Sequence, residues 1–336
     1  MNKAEIKTHY DELAPLYQRL GENIKNALIQ FLEDLNIDYL DVEFRVKDFK
    51  SFYEKIERKN YKNPFEDIQD FCGLRIINYY PLDLDKITNF IKKEFNVSES
   101  IDKQDELDDD RFGYRSYHFI ATLKEAWMSA PNYRGLAGLN FEIQARTILM
   151  HGWAAINHKL LYKHEEDIPK EFKRDLFRLS ALIELADEQF ERLRTERSAY
   201  IKETIIEKQD GTISVDTSKS LNIDSLQALL KSYFPNREGY DNISAILEKI
   251  RGCNLTLEEF NKKLEQTLPY LEKIEEEELG TSSGAEYSGG GIGMWNIHAI
   301  VVTVLDLTVD GFLEENGHPA EIYEISKKYK DQLNNS

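Results

Sequence analysis

The chain opens with a long amphipathic pattern. Apolar residues recur at spacings of three and four over residues 3–36, which predicts a helix. Residues 40–46 alternate like a short strand, and Asp48 then stands where it can cap a helix that ends near Asn60. Further strands are predicted at 71–80, 117–123 and 139–145, with a helix at 82–95. Strands flanked by helices in this order predict a first domain of the α+β class.

The second half of the chain has a different pattern. Helices are predicted over 148–164 and 169–206, and a polar segment at 208–219 is typical of a linker. The remainder is mainly helical, and its apolar run at 297–307 is about half the length of a membrane span, so we expect buried core there. We therefore predict an α+β domain at 1–207, a linker at 208–219 and a smaller helical domain at 220–336.

Composition narrows the class of protein. The 336 residues include 43 Lys and Arg against 61 Asp and Glu, a net charge of −18 that argues against bulk nucleic-acid binding. Apolar residues make up 41% of the chain, as in soluble globular proteins. Two cysteines exclude a disulfide scaffold and a four-cysteine zinc site. The charged N-terminus does not resemble a secretory signal, so we expect a cytoplasmic protein that does not enter a membrane.

One segment has a net charge opposite in sign to that of the whole chain. Residues 44–62 hold seven basic and three acidic side chains, a local net charge of +4. On a helix, Lys47, Ser51, Lys55 and Arg58 would lie along one face, because they are four, four and three residues apart. Such a face suits a polyphosphate, since each phosphate oxygen can accept a charge-assisted hydrogen bond. A solvated basic face is the alternative.

Polar residues on two predicted strands suggest a metal site. Asp70 begins a buried strand, which is costly unless the carboxylate is paired or bound to a metal. Arg75, further along that strand, could stack on a base, bind phosphate or simply pair with Asp70. On the later strand, Glu142, Gln144 and Arg146 would share one face. If Glu142 faces Asp70, the two carboxylates form a Mg²⁺ site of the kind that phosphoryl transfer uses; an exposed amphipathic strand is the alternative.

Two more segments carry aromatic and imidazole groups. Tyr114 could stack on a purine, although ordinary packing at the start of a strand would also explain it. On the following helix, His151 and His158 share one side with small alanines between them, which leaves room for a ligand. No cysteine or HExxH motif accompanies the histidines, so zinc is disfavoured.

Five segments in this order resemble the synthetase domain of RelA/SpoT proteins, and most of all the small alarmone (ppGpp) synthetases. They are RVKDFKSFYEKIERK, QDFCGLRI, GYRSYH, FEIQART and HGWAAINHKLLYK, within residues 10–200. The resemblance implies a nucleotidyltransferase-like mixed sheet. It also implies a Mg²⁺-dependent enzyme that moves the pyrophosphate of ATP to the 3′-hydroxyl of GDP or GTP. No HD dipeptide occurs, so we expect no hydrolase domain of the long family members.

The resemblance also implies residue roles. For ATP it implies Arg45 and Arg75 around the adenine, with Lys47, Ser51, Lys55, Arg58 and His158 at the phosphates. For the acceptor nucleotide it implies Tyr114 stacked on the guanine, with His118, Gln144 and His151 nearby. Asp70 and Glu142 would be catalytic and bind the metal, and Glu142 is also the candidate base for the acceptor hydroxyl. Asn157 stands where many small synthetases have Glu, which leaves nucleotide preference open.

Two other functions stay open at this point. A toxic branch of the family makes adenosine alarmones or places pyrophosphate on the tRNA 3′ end, and the C-terminal domain or a partner could restrain it. The acidic net charge argues mildly against tRNA. A nucleotide-binding regulator without catalysis is the second alternative, and the intact Asp70 and Glu142 pair argues against it. Homo-oligomerisation and regulation by the C-terminal domain are compatible with each function.

Overall fold

The protein is described here from a computed structural model, and the described residues are 2–102, 116–160, 170–207, 213–281 and 294–335. The chain divides into two compact units, Met1–Arg194 and Thr195–Ser336. The domain bounds proposed from the sequence stay a prediction. Within the segment predicted as a linker, Ile213–Val215 forms a strand.

The first unit is built on a five-stranded mixed sheet. Its strands are β1 (Tyr39–Val46), β2 (Cys72–Asn78), β3 (Phe95–Asp102), β4 (Tyr117–Leu123) and β5 (Phe141–Thr147). Their order across the sheet is β1-β2-β5-β4-β3. The central pair, β2 and β5, is parallel, and the other neighbouring pairs are antiparallel. The prediction of an α+β fold with a mixed sheet flanked by helices is confirmed.

Two strand predictions were incomplete. Strand β3 was not predicted, because the alternation of its sequence FNVSESID is broken by the charged Glu99 and it follows the helix before it without a turn signal. Strand β5 begins at Phe141, two residues later than predicted. Leu139 looked like part of the strand, but it belongs to a turn that starts at Leu136 and includes Gly138, whose φ is +74°.

Helices cover the sheet of the first unit. They are α1 (Lys3–Asp34), α2 (Phe49–Lys59), α3 (Pro64–Asp67), α4 (Pro81–Glu94), α5 (Ile148–Leu160) and α6 (Lys170–Thr204), the last of which continues into the second unit. The predicted apolar stripe of α1 is buried and packs on β1 and β2. At Gly21 the helix lies so close to the sheet that an added Cβ would be 2.3 Å from Phe44 Cδ2.

The second unit is mainly helical, as predicted. A two-stranded hairpin, β6 (Ile205–Glu207) and β7 (Ile213–Val215), precedes its helices. These are α7 (Ile223–Tyr233), α8 (Ile243–Gly252), α9 (Leu257–Leu279), α10 (Ile297–Thr308), α11 (Phe312–Glu315) and α12 (Ala320–Asn334). The apolar run predicted as core forms α10, which is buried against α9 and α12. In the described ranges, every helix is too short or too polar to cross a bilayer.

The core of the second unit also contains charged groups. Glu275 accepts hydrogen bonds from Arg237 Nη1 at 2.6 Å and Nη2 at 2.7 Å. Asp306 Oδ2 accepts one from His318 Nε2 at 2.8 Å. Glu278 is buried one helical turn after Glu275, and its carboxyl is close enough to Asp306 to feel that residue's charge. Among the described residues of this core, Glu278 therefore lies near two other carboxylates, of which one is paired with Arg237 and the other with His318.

Candidate active site

Alternation along the central strands separates an apolar face of the sheet from a polar one. On β5, Glu142 and Gln144 face away from the core, while the residues on either side of them are buried. The parallel register with β2 places Gly73 beside Glu142 and Arg75 beside Gln144. The outer strands extend these pairs into two rows, which are Arg45, Gly73, Glu142 and Ile120, and Glu43, Arg75, Gln144 and His118. The sheet thus collects distant parts of the chain on one polar face.

A cleft of about 940 Å³ lies over this face. Six of the seven predicted ATP-binding residues line it, namely Arg45, Lys47, Ser51, Lys55, Arg58 and Arg75. Both predicted catalytic carboxylates, Asp70 and Glu142, line it too. The basic segment and the two acids, which the sequence could only propose as neighbours, therefore meet in one place.

Helix α2 fixes the positions of Ser51, Lys55 and Arg58, whereas Lys47 precedes the N-cap of α2 and does not lie on the helix as predicted. Asp48 is its N-cap: the Asp48 carboxylate accepts hydrogen bonds from the Ser51 amide and the Ser51 hydroxyl, each at 2.8 Å. One turn later, Lys55 Nζ donates to Asp70 Oδ1 at 2.8 Å, and Lys47 Nζ lies 3.2 Å from Asp70 Oδ2. Burial raises the pKa of Asp70, but the hydrogen bonds and charges of Lys55 and Lys47 outweigh burial, and the pKa is lowered. Asp70 is consequently a carboxylate at neutral pH.

Glu142 is held by a side chain of the neighbouring strand β4. His118 Nδ1 donates to Glu142 Oε1 at 2.8 Å. Burial raises the pKa of Glu142, but the hydrogen bond and charge of His118 outweigh it, so the pKa is lowered and Glu142 is also ionised at neutral pH. The charge of Asp70 acts on Glu142 in the raising direction, which places the two carboxylates within electrostatic reach of each other.

A second, smaller cleft of about 240 Å³ opens beside the first. Lys55, Asp70 and Glu142 line both clefts, and His118 lines the second. Two compartments that share one cation and two carboxylates are the arrangement that a transfer between two bound molecules requires.

The larger cleft is also lined by two arginines. Arg45 and Arg75 lie on neighbouring strands in diagonal positions, because Arg45 is opposite Gly73 and Arg75 is opposite Glu43. Diagonal neighbours in an antiparallel pair are about 7–8 Å apart. Side chains as long as arginine can reach one another across that backbone spacing, so the two guanidinium groups can approach a common ligand. Each arginine has a carboxylate partner: Arg75 donates to Glu43 at 3.0 Å and Arg45 to Asp48 at 3.3 Å.

The remaining predicted residues have varied positions. Gln144, predicted for the acceptor, lines the larger cleft beside Arg75. His151 lies near Arg146 and Arg75, and burial together with their positive charges lowers the pKa of His151, so the ring is neutral at neutral pH. Tyr114 and the side chain of His158 lie outside the described residues. The roles of all four residues stay predictions.

Comparison with known proteins agrees with this geometry. A family profile described as "Region found in RelA / SpoT proteins" matches residues 44–167. The GTP pyrophosphokinase YjbM of Bacillus subtilis is 32% identical over 189 residues, a match that covers 54% of this chain and 86% of YjbM. The chain belongs to the RelA/SpoT family. The GTP pyrophosphokinase YwaC of the same organism is 28% identical over 208 residues, covering 54% of this chain and 93% of YwaC.

Solved structures of family members cover the same part of the chain. The small alarmone synthetase 1 of B. subtilis bound to its product pppGpp is 31% identical, covers 56% of this chain and 98% of its own, and has a TM-score of 0.46. The same enzyme bound to AMPCPP is 28% identical, covers 56% of this chain and 99% of its own, and has a TM-score of 0.43. The relatives are enzymes by name, in agreement with the prediction that this RelA/SpoT chain is one.

The residues of this RelA/SpoT site also suit a magnesium ion. In the described part of the chain, no group of three or more His, Cys, Asp or Glu side chains is placed to hold a metal alone. Mg²⁺ is commonly held by one or two carboxylates together with waters and substrate phosphates. Asp70 and Glu142, both ionised and lining one cleft with Lys47 and Lys55, supply the carboxylates of that donor set.

Sequence reasoning missed several residues of the site. Glu43, Lys25 and Glu54 line the larger cleft, and Tyr61 and Glu99 line the smaller one. Glu99 was missed because its strand was missed. The alternation of β1 could have identified Glu43, since it lies two residues before Arg45 on the same face. Nothing in the sequence indicates Lys25, which reaches the cleft from α1.

Proposed function

We propose that this protein transfers the pyrophosphoryl group of ATP to the 3′-hydroxyl of GDP or GTP, with magnesium as cofactor. One observation carries the proposal: Asp70, Glu142 and Lys55 line both clefts, so the acids and a cation lie where a donor and an acceptor would meet. The relatives YjbM and YwaC are GTP pyrophosphokinases, which supports the same reaction.

The larger cleft fits the donor nucleotide. Arg45 and Arg75, which line this cleft from neighbouring strands, would stack on the two faces of the adenine. The triphosphate would then extend toward α2, where Lys47, Lys55 and Arg58 provide positive charge. Lys47 and Lys55 already lie beside Asp70, so the phosphates would come to rest next to the carboxylates.

The smaller cleft fits the reacting end of the acceptor. Glu142 is ionised and held by His118, so it can take the proton of a hydroxyl group placed in this cleft. The 3′ oxygen would attack the β-phosphorus of ATP as that proton moves to Glu142, and the bond to the α-phosphate oxygen would break to release AMP. Asp70 and Glu142 would hold the magnesium ion, which when bound neutralises charge on the phosphates.

A transfer assay with labelled ATP tests the function. The full-length protein is incubated with Mg²⁺, ATP labelled in the β-phosphate and one acceptor at a time: GDP, GTP, AMP or tRNA. We expect label in guanosine tetra- or pentaphosphate. Label in AMP or in tRNA would overturn the guanosine acceptor and support the toxic branch, and absence of transfer to every acceptor would overturn the enzymatic proposal.

A further inference from the structure

The ion pair between Glu43 and Arg75 has no part in the transfer described above. Glu43 on β1 stands directly opposite Arg75 on β2, and Arg75 Nη1 donates to Glu43 Oε2 at 3.0 Å. Both side chains line the larger cleft. The pair therefore lies at the end of the cleft that the proposed function gives to the base of the donor.

Within the part of the chain that the structure describes, Glu43 is the residue that fixes the Arg75 guanidinium. The Nε atom of Arg75 is buried and has no hydrogen-bond partner there, so the Nη1 contact orients the group. An arginine side chain has many rotamers, and stacking on a flat ring requires one orientation of the guanidinium plane. A partner that fixes this plane in advance reduces the entropy lost when the ring binds.

The ion pair between Glu43 and Arg75 contributes little to the stability of the fold. The side chains of Arg75 and Glu43 are 35% and 44% exposed, and ion pairs with that exposure contribute little to folding. A carboxylate in a cleft that binds a polyanion also has an electrostatic cost, because it repels the phosphates. Glu43 thus stands where its charge alone opposes binding, so its benefit must come through Arg75.

We propose that Glu43 is a positioning residue that holds the Arg75 guanidinium across the cleft for stacking on the base of the donor nucleotide. The inference rests on the proposed function and adds the residue that organises the base end of the donor site. If Glu43 acts in this way, it should strengthen the binding of nucleotides, which carry a base, and should not strengthen the binding of a polyphosphate without a base.

Binding measurements on the full-length protein test the proposal. Titration calorimetry compares α,β-methylene-ATP, which has a base, with inorganic tripolyphosphate, which has none. Glu43→Ala should weaken binding of the ATP analogue roughly two- to fivefold, the range of a partly exposed ion pair, and leave tripolyphosphate binding unchanged or tighter. Glu43→Gln keeps an acceptor for Arg75 and should lie between wild type and Glu43→Ala.

Glu54→Gln is the matched control. Glu54 is an exposed carboxylate that lines the same cleft from α2, so its removal makes the same change in charge without altering Arg75. It should leave the ratio of the two affinities at the wild-type value. If Glu43→Ala tightens the ATP analogue, as removal of a repelling charge alone would, the positioning role is wrong.

A double-mutant cycle separates positioning from other effects. Once Arg75→Ala has removed the guanidinium, adding Glu43→Ala should cause no further loss of affinity for the ATP analogue. Independent, additive losses would overturn the proposal. Its failure can be told apart from failure of the proposed function, since absence of transfer by a wild-type protein that binds ATP contradicts the function alone.

Discussion

Replacing Glu278 with Gln should stabilise the second unit, and increasingly so as the pH rises. Glu278 lies on α9 inside the core, with its carboxyl facing Asp306 of α10 and near Glu275 of its own helix. Arg237 is already paired with Glu275, and His318 with Asp306. Burial, followed by the charges of Asp306 and Glu275, raises the pKa of Glu278 to about 8, while the Ser326 hydroxyl acts in the opposite direction.

The size of the effect follows from the shift in the pKa of Glu278. The carboxyl titrates near its reference value of 4.5 in the unfolded chain and near 8 in the folded one, so the unfolded chain loses its proton first. The folded state is therefore destabilised relative to the unfolded state as the pH rises from 4.5 to 8. At pH 7 this destabilisation is on the order of 3 kcal/mol. Gln has no proton to lose. The advantage of the Glu278→Gln variant over wild type should grow by roughly 2 kcal/mol between pH 6 and pH 8.

Scanning calorimetry of the full-length protein at a series of pH values measures this. Because of this gain, the difference in melting temperature between the Glu278→Gln variant and wild type should be roughly 4–8 °C larger at pH 8 than at pH 6. Glu276→Gln is the control, because Glu276 is exposed on the same helix and its substitution makes the same change in charge. The reasoning fails if the difference between the melting temperatures of Glu278→Gln and wild type does not change across this pH range.

Three further predictions concern the first unit. Glu142→Gln should slow transfer by a factor on the order of 10²–10⁴ while calorimetry still detects ATP binding, since an amide cannot accept the hydroxyl proton; undiminished turnover would refute the role of Glu142. Tyr114→Ala should raise KM for the acceptor nucleotide more than KM for ATP in steady-state assays, and equal changes would contradict stacking on the acceptor. Gly21→Ala should lower the free energy of unfolding by about 1–3 kcal/mol in urea titrations, because the added Cβ would lie 2.3 Å from Phe44; a more stable variant would show that α1 can move away at no cost.

Local chemistry made much of the first unit predictable. The cap at Asp48 and the stripe of apolar residues on α1 are signals contained within a few helical turns, and both were confirmed. The basic face of α2 was predictable for the same reason. The two carboxylates could be proposed individually, because an acid at the edge of a buried strand is unusual wherever that strand lies in the sheet.

Long-range pairing was the part that local patterns could not provide. Glu142 and Gly73 are neighbours only because β5 enters the sheet beside β2, and no residue of either strand encodes that choice. The partners of charged groups could not be predicted from local patterns either. His118 was expected at the acceptor, and its hydrogen bond to Glu142 was not predicted. Glu43 was not identified from the sequence, because its proposed role depends on Arg75 of the neighbouring strand, and that pairing was not predicted.

The place of β5 in the sheet has a consequence for how the molecule is made. It is the last of the five strands to leave the ribosome, yet it lies in the middle, between β2 and β4. Until it is synthesised, the earlier strands can form only two separate hairpin-like halves, β1 with β2 and β3 with β4. The strand that joins these halves also carries Glu142. A nascent or truncated chain that lacks β5 is therefore unfinished as a fold, and it also lacks the residue that we propose as the catalytic base.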